Sequence, residues 1–257
     1  MDDIMALLAI DTATPTLALA VSDDDGHVLA AFASRIPKMH ATYAHPLMDE
    51  MLAVLSLEPQ DIRGVIVGVG PGSYTGVRIG VTFAKVFAYA LDIPIIGESS
   101  LAAAAFALRT HCGVVAVMWD ARRKSVYSAV YRVQYGTFQE VLAEGKREIA
   151  AFMTSLAQVV QKDEAIYLVG DVAKAIYEQY ASTFLLHPLI VADETASVYA
   201  EHLLALGYPE LCTKMQSREV GDHGKDAHVL VPRYLQLAEA EARWLEKRRG
   251  STGNESE

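Results

Sequence analysis

The order of predicted strands and helices repeats along the chain, and this repeat limits the fold more than any other feature. Each round opens with three strands and continues with a helix, a strand and further helices. Two such rounds, without obvious sequence identity, predict two similar halves, each with its own sheet. The predicted strands cover 7–13, 16–22, 27–34, 64–69 and 93–96 in the first round, and 114–119, 124–133, 137–147 and 165–169 in the second.

Apolar residues at helical spacing and helix-capping signals place the helices between these strands. The first helix is expected to begin at Pro46, because a proline at the first helical position loses no hydrogen bond. Gly207 and Pro209 are expected to end the sixth helix. The remaining predictions are helices from the glycine segment to about 91 and over 99–109, 149–161, 172–180, 195–206 and 238–249, a loop over 216–228, and an extended stretch over 229–237.

The repeated order resembles the two-lobed actin-like class (ASKHA, ribonuclease H-like), in which each lobe is a mixed sheet with helices. On this basis the domains are predicted as an N-terminal lobe over 1–109 and a smaller C-terminal lobe over 110–237. A closing helix and a loose polar tail are predicted over 238–257. A fold of this class hosts many functions, so function has to be inferred from sites.

Composition limits the environment and the partners of the chain. Hydrophobic residues make up 52% of 257 residues, which predicts a sizeable core. The net charge of −10 argues against attraction of nucleic acid over the whole surface, so RNA contact needs a local patch or a partner. Cys112 and Cys212 form no metal-ligand pattern and are expected to be buried thiols in a reducing compartment. The acidic start and the absence of an apolar run of ~18 residues predict a cytoplasmic protein without a membrane span.

Five glycines, at positions 68, 70, 72, 76 and 80, join a buried strand to a helix. Bare backbone N–H groups beside a helix start are used to bind phosphate. The spacing matches neither a P-loop, since Val77 and no lysine follows Gly76, nor the dinucleotide pattern GxGxxG. Two interpretations stay open: a tight turn that sets the helix angle, or an anion contact at Gly72 and Ser73.

Small residues recur every fourth position in the helix after this loop, and they predict a flat groove along one helix face. A neighbouring backbone can approach such a face closely. The groove is expected to pack either on the chain's own sheet or on a helix of another protein. The preceding helix carries an apolar stripe that includes adaptable methionines, which favours a partner. The predicted partner interface consists of Leu47, Met48, Met51, Leu52, Leu55, Gly76, Gly80, Ala84 and Ala88.

Other polar residues have a plain interpretation beside a functional one. Asp11 ends the first strand and is expected to stabilise a turn, or to hold a metal-bound water near an anion. Arg122 and Arg123 belong to a basic cluster that is either a solvated hairpin end or an anion- or RNA-facing patch. His40 and His45 are five residues apart, so they would not share a helix face as zinc ligands do.

The chain shows no spacing that predicts catalysis. No Ser–His–Asp or Cys–His set can be placed, and Ser73 follows its glycine directly, which excludes the GxSxG elbow. No metal site and no intrinsic cofactor are predicted. The expected role is therefore that of a non-catalytic protein.

Four segments together resemble the TsaB family, also called YeaZ, which is the accessory protein of threonylcarbamoyladenosine formation on bacterial tRNA. The glycine segment is the most specific of them, and the last motif departs from the family pattern because Gln236 stands where arginine is common. The four segments are IDTAT at 10–14, GVGPGSYTGVRIG at 68–80, DARRKSVY at 120–127 and VPRYLQ at 231–236.

The resemblance implies a subunit that binds and activates the catalytic paralogue TsaD, which transfers threonylcarbamoyl to a tRNA adenosine. It also implies contact with the ATPase TsaE, indirect contact with tRNA through the complex, and ATP or ADP only within that complex. Pairing is expected through the two helices of the first lobe, which also form a homodimer when TsaD is absent. The rival hypotheses are an independent actin-like ATPase or kinase, which Pro15 in the first hairpin disfavours, and a hydrolase.

Overall fold

The computed structural model describes residues 5–35, 40–192, 199–217 and 224–235, and its described strands form two five-stranded sheets. The first sheet has the order β3-β2-β1-β4-β5 and the second has the order β10-β9-β6-β7-β8. The strands are β1 Ala6–Asp11, β2 Leu17–Asp23, β3 Val28–Ser34, β4 Ile62–Gly68, β5 Ile95–Glu98, β6 Cys112–Asp120, β7 Ser125–Gln134, β8 Thr137–Glu148, β9 Ile166–Val169 and β10 Leu189–Val191.

Helices cover both outer faces of this pair of sheets and fill the layer between them. The outer face of the first sheet carries α1 and α2, and the outer face of the second carries α4 and α5. The layer between the sheets holds α3 and α6. The helices are α1 His40–Leu55, α2 Tyr74–Leu91, α3 Ser100–Phe106, α4 Ile149–Val159, α5 Ala173–Tyr180, α6 Ala200–Ser217 and α7 Gly224–Val229.

The predicted repeat and fold class are confirmed. In each sheet the first three strands form an antiparallel meander, and the first strand also pairs in parallel with the fourth. The central strand β1 is buried along its whole length, as expected for a strand that is covered on both faces. The two sheets therefore have the same strand order, which is that of a two-lobed actin-like fold.

The helices between the sheets cross from one half of the chain to the other. Helix α3 follows the first sheet in sequence but contacts β6 and β7 of the second. Helix α6 follows the second sheet but packs on the first, where Gly207 lies against Ile66 and Ile96. One buried core therefore joins the two sheets. The domain boundary between 109 and 110 falls between the sheets in sequence and stays a prediction.

Two predicted helix boundaries are wrong because packing overrides the local signals. Helix α1 begins at His40, which bonds to Thr14 O at 2.9 Å, and it continues through Pro46. Helix α6 runs through Gly207 and Pro209. A Cβ atom at Gly207 would come within 2.7 Å of Ile96 Cδ1, so this glycine allows close helix–sheet packing instead of ending the helix.

Other differences are smaller. Strand β10 was not predicted, and α7 lies in the region predicted as a loop. Cys112 is exposed and Cys212 half-buried, so the prediction of two buried thiols is wrong. The predicted start of the sixth helix at 195, the closing helix over 238–249, the tail and Gln236 lie outside the described residues. No helix within the described ranges is long and apolar enough to span a membrane.

Candidate partner surface and interlobe cleft

The glycines of the loop and of α2 pack against the turn between β1 and β2. A Cβ atom at Gly72 would lie 2.2 Å from Ala13 O, and one at Gly76 would lie 2.2 Å from Thr12 O. One at Gly80 would lie 2.3 Å from Thr12 Oγ1. Real Cβ contacts are never this short, so these three positions require glycine for the helix to approach the turn.

Hydrogen bonds then fix the loop to this turn. Thr12 Oγ1 donates to Gly76 O at 2.7 Å, and Ser73 N donates to Ala13 O at 2.7 Å. Ser73 Oγ accepts from Gly76 N at 3.2 Å and caps α2. The loop is therefore the tight turn that sets the helix angle. Ser73 N and Ser73 Oγ are both bonded within the chain, and the anion contact predicted at Gly72 and Ser73 stays a prediction.

Asp11 is a buried carboxylate that stabilises the same turn. It accepts hydrogen bonds from Ala13 N at 2.7 Å and from Ser100 Oγ at 2.5 Å. Burial raises its pKa to about 6, while the bonds from Ser100 and Ala13 lower it. Asp11 is 0% exposed, and each of its two carboxylate oxygens already accepts a hydrogen bond from the chain. The turn-stabilising interpretation is the one that fits.

The predicted groove on α2 is part of the chain's own core. Gly76, Gly80, Ala84 and Ala88 are all buried beneath the first sheet and the β1–β2 turn. On α1, Met48 and Leu52 are 1% and 2% exposed and belong to the same core. These six residues were predicted as a partner interface, and that prediction is wrong because the face that packs most closely is the inward one.

A different face of the same two helices remains open, and we call it the outer stripe. It consists of Leu47, Met51 and Leu55 of α1 with Phe83 and Phe87 of α2, and its edges are Val54 and Val86. The five central side chains are half-buried, whereas Val54 is 82% and Val86 64% exposed. The rings of Phe83 and Phe87 stack with centroids 6.2 Å apart.

Sequence reasoning predicted the α1 half of the outer stripe and missed the α2 half. Phe83 and Phe87 directly precede Ala84 and Ala88, so they lie on the adjacent helix face. Their four-residue spacing is a signal that could have found them. Large apolar groups on an open helix face are typical of a protein–protein contact.

The chain after α7 crosses the cleft between the two lobes, and we call residues 230–235 the strap. Arg233 N donates to Val69 O of the first lobe at 2.8 Å. Its guanidinium donates to Glu144 of β8 in the second lobe at 2.7 Å. Glu144 is 7% exposed and also accepts bonds from Ser99 and Tyr131. One buried carboxylate thus ties both lobes to the strap.

Aromatic and cationic side chains line the mouth of this interlobe cleft. Arg78 Nε donates to Tyr234 OH at 2.7 Å, and the Arg78 guanidinium lies 4.0 Å from the centre of the Tyr74 ring. The cleft brings together residues from three of the four resembling segments, and the fourth packs behind them at Thr12 and Ala13. Its lining includes Pro71, Tyr74, Val77, Tyr127, Arg233 and Tyr234.

The turn between β6 and β7 is exposed and basic. Arg122, Arg123 and Lys124 have positive φ angles of 63°, 53° and 60°, and all three are exposed. Asp120 Oδ1 accepts from Arg122 N at 2.7 Å, and Lys124 O accepts from Ile149 N at 3.0 Å. Within the described ranges none of the three cations forms an ion pair.

The two histidines lie in different environments, since His40 is buried and His45 is exposed. His40 bonds to Thr14 O and His45 pairs with Asp49 at 3.1 Å, so they have separate structural contacts. Among the described residues, no three His, Cys, Asp or Glu side chains are placed together as a metal site.

Comparisons with known proteins agree with the fold. Over residues 29–244 the chain matches the family model of TsaD, the tRNA N6-adenosine threonylcarbamoyltransferase. It is 34% identical over 248 residues to the tRNA threonylcarbamoyladenosine biosynthesis protein TsaB of Bacillus subtilis (strain 168), covering 95% of this chain and 100% of that protein. It is 37% identical over 130 residues to the protein of the same name from Escherichia coli (strain K12), covering 50% of this chain and 55% of that protein. The structure of YeaZ from Pseudomonas aeruginosa matches with a TM-score of 0.68 and 25% identity, over 90% of this chain and 100% of that one.

The paired sheets and the helices crossed between them define a two-lobed actin-like α/β protein. Within that class, the match along nearly the whole chain identifies the family. The chain belongs to the TsaB (YeaZ) family, among the proteins that the TsaD model recognises, as the resemblance predicted.

Proposed function

We propose that this chain takes part in the synthesis of N6-threonylcarbamoyladenosine on tRNA, as a non-catalytic subunit that binds and activates a TsaD-type transferase. The 34% identical relative from Bacillus subtilis is named a tRNA threonylcarbamoyladenosine biosynthesis protein, which supports this pathway. The outer stripe carries the proposal of partner binding, because it is an apolar face on two adjacent helices that the chain itself leaves half-open.

The turn between β1 and β2, which α2 covers, supports a non-catalytic role. An actin-like ATPase or kinase needs backbone N–H groups of this turn free for phosphate. Here Gly72, Gly76 and Gly80 bring α2 and the loop before it into direct contact with Thr12 and Ala13, so the chain itself occupies one side of this turn. This packing disfavours the alternative of an independent ATPase or kinase.

The chemistry of the outer stripe supports a helix-packing partner. Its central side chains are leucine, methionine and phenylalanine, which are typical of the core of a protein interface. Charged residues lie at its margin, since Asp49 and Glu50 of α1 are exposed. The same face serves a homodimer when the transferase is absent. Contact with a TsaE-type ATPase and with tRNA, and any ATP or ADP, belong to the assembled complex.

Reconstitution tests this proposal. Purified TsaD-type and TsaE-type proteins are mixed with tRNA and the threonylcarbamoyl donor, with and without this chain, and modified adenosine is measured by mass spectrometry. Modification is expected only when the chain is present, whereas the chain alone with ATP and magnesium shows no turnover. Equal modification without the chain, or ATP turnover by the chain alone, would contradict the proposal.

A single charged substitution tests the surface. Met51→Asp places a carboxylate in the centre of the outer stripe and is expected to prevent co-purification with the TsaD-type subunit. Leu185→Asp is the matched control, because Leu185 is 82% exposed and lies on the other lobe. Equal recovery of the partner by both variants would exclude the outer stripe as the interface.

A further inference from the structure

The β6–β7 turn concentrates positive charge on a chain whose net charge is −10. Arg122, Arg123 and Lys124 are consecutive and exposed, and within the described ranges no carboxylate pairs with their side chains. Two other arginines have carboxylate partners, since Arg132 pairs with Glu164 and Arg233 pairs with Glu144. Three unpaired cations at one turn make a local patch that can neutralise phosphates although the whole chain repels them.

Two carboxylates beside this turn bond to backbone N–H groups, and among the described residues they form no ion pair with the three cations. Asp120 Oδ1 accepts from Arg122 N at 2.7 Å, and Asp171 Oδ1 accepts from Asp120 N at 3.0 Å. Both acids therefore lie at the base of the turn. Lys124 O accepts from Ile149 N, which ties the turn to the start of α4. The cations are held at the tip of an ordered backbone.

An aromatic surface follows the patch on the same strand. Tyr127 lies three residues after Lys124, about 10 Å along β7 at ordinary strand rise. It lines the mouth of the interlobe cleft together with Tyr74 and Tyr234. Arg78 packs on the Tyr74 ring and bonds to Tyr234, so the far side of the cleft is held in place.

Unpaired nucleic acid is recognised by this combination of groups. Its phosphates bind clustered cations, and its bases stack on aromatic rings and guanidinium planes. A folded duplex offers no open base faces, so an aromatic cleft beside a basic turn fits a single-stranded segment better. An acidic protein partner would use the cations but would not need the tyrosine.

We propose that the β6–β7 turn and Tyr127 form a contact surface for an unpaired segment of RNA, with Arg122, Arg123 and Lys124 on phosphates and Tyr127 under a base. This inference rests on the proposed function and assigns to this chain a part of the tRNA contact in the complex. It requires no chemistry at the cleft.

The test uses the full chain assembled with its TsaD-type partner and a fluorescently labelled, unmodified tRNA transcript, with binding followed by anisotropy over a series of salt concentrations. Arg123→Glu is expected to weaken tRNA binding by about tenfold or more at low salt. The slope of log affinity against log salt concentration is expected to fall by about the value of one phosphate contact. Lys162→Glu is the matched control, because it makes the same charge change before β9, at the opposite end of the second sheet. The control is expected to bind like the unchanged chain.

Substitutions of Tyr127 distinguish the contribution of base stacking from that of charge. Tyr127→Ala is expected to weaken binding several-fold without changing the salt dependence, while Tyr127→Phe keeps the ring and binds normally. Ultraviolet cross-linking of the bound tRNA is expected to label the peptide that contains Tyr127. The same variants are also tested for pairing with the TsaD-type subunit and with the TsaE-type ATPase.

Three results would overturn the inference. They are unchanged tRNA affinity of Arg123→Glu, equal losses in Arg123→Glu and Lys162→Glu, and loss of TsaE binding with tRNA binding intact, which would assign the turn to an acidic protein. In each case pairing with the transferase and modification by the unchanged chain would still stand. Failure of the unchanged chain to pair or to support modification would instead contradict the proposed function.

Discussion

The turn between β1 and β2 and the turn between β6 and β7 occupy corresponding places in the two sheets, and each begins with an aspartate. Asp11 is fully buried and bonded to Ser100 and Ala13, while Asp120 is exposed. The first turn is covered by Gly72 of the loop and by Gly76 and Gly80 of α2. The second carries three exposed cations in left-handed conformation.

The difference shows that corresponding turns of two similar sheets can be packed in opposite ways, one covered by the chain and one exposed. In the first lobe, α2 and the loop before it pack closely on the turn, and this contact fixes the position of α2 and of its part of the outer stripe. In the second lobe, nothing among the described residues covers the turn, so its charge stays available. The first turn therefore has a structural role, and the second is the candidate for an outside contact.

The largest expected effect comes from disrupting the close contact between Gly80 of α2 and Thr12 of the first turn. Gly80→Leu is expected to cost about 4 kcal/mol or more in the free energy of unfolding, because its side chain would overlap Thr12. Thermal and denaturant unfolding measure it. Gly136→Ala is the control: it has a left-handed φ of 97° but no atom within 4 Å, so it is expected to cost about 1 kcal/mol. A folded Gly80→Leu variant of normal stability would contradict the close packing of Gly80 against Thr12.

A pH effect is expected from Asp11. Burial raises the pKa of Asp11 from 3.8 to about 6, so the folded chain keeps a proton that the unfolded chain releases near pH 4. Its stabilising contribution is complete below pH 4 and is lost as the pH rises through 6, by about 3 kcal/mol. Asp11→Asn should therefore be more stable than the unchanged chain at pH 7 and similar at pH 4. An unchanged pH profile would show that the carboxylate is not buried.

The closure of the cleft is expected to depend on Glu144. Glu144→Ala removes the acceptor that Arg233, Ser99 and Tyr131 share, and it is expected to cost about 1–3 kcal/mol. Hydrogen exchange should become faster in the strap. Glu164→Ala is the control, since it removes an Arg–Glu contact of 2.8 Å that lies within the second lobe. Equal exchange of the strap in both variants would mean that Glu144 does not hold it.

The smallest effect is expected at the second turn, and it has the opposite sign. Arg122→Gly/Arg123→Gly removes the strain of a left-handed backbone, about 1–2 kcal/mol per residue, from the folded state. Glycine also has more conformational freedom in the unfolded state, which costs about 0.5–1 kcal/mol of stability per residue. The free energy of unfolding is therefore expected to rise by about 1 kcal/mol, while tRNA binding falls. A destabilised variant would show that the two arginines stabilise the fold.

The sequence predicted the sheets well, because buried strands and alternating strands have different apolar patterns. It also located the apolar face of α1, but it could not tell which face of α2 is covered. A helix face with small residues such as Gly80 and one with large residues such as Phe83 can each pack against a neighbour. Only the position of the β1–β2 turn decides which of the two faces of α2 is buried inside the chain. Gly207 and Pro209 are strong local stop signals that lose to packing on the first sheet. The crossing of α3 and α6 depends on contacts distant in sequence, which no local pattern contains.

The most direct measurement is a calorimetric titration of a TsaD-type subunit into this chain. We expect a one-to-one complex with the unchanged chain and with Leu185→Asp/Leu186→Asp, whose original side chains are 82% and 84% exposed on the second lobe. We expect no measurable binding by Phe83→Asp/Phe87→Asp, provided circular dichroism shows that this variant is folded. Normal binding by the folded Phe83→Asp/Phe87→Asp variant would contradict the assignment of the outer stripe as the partner surface.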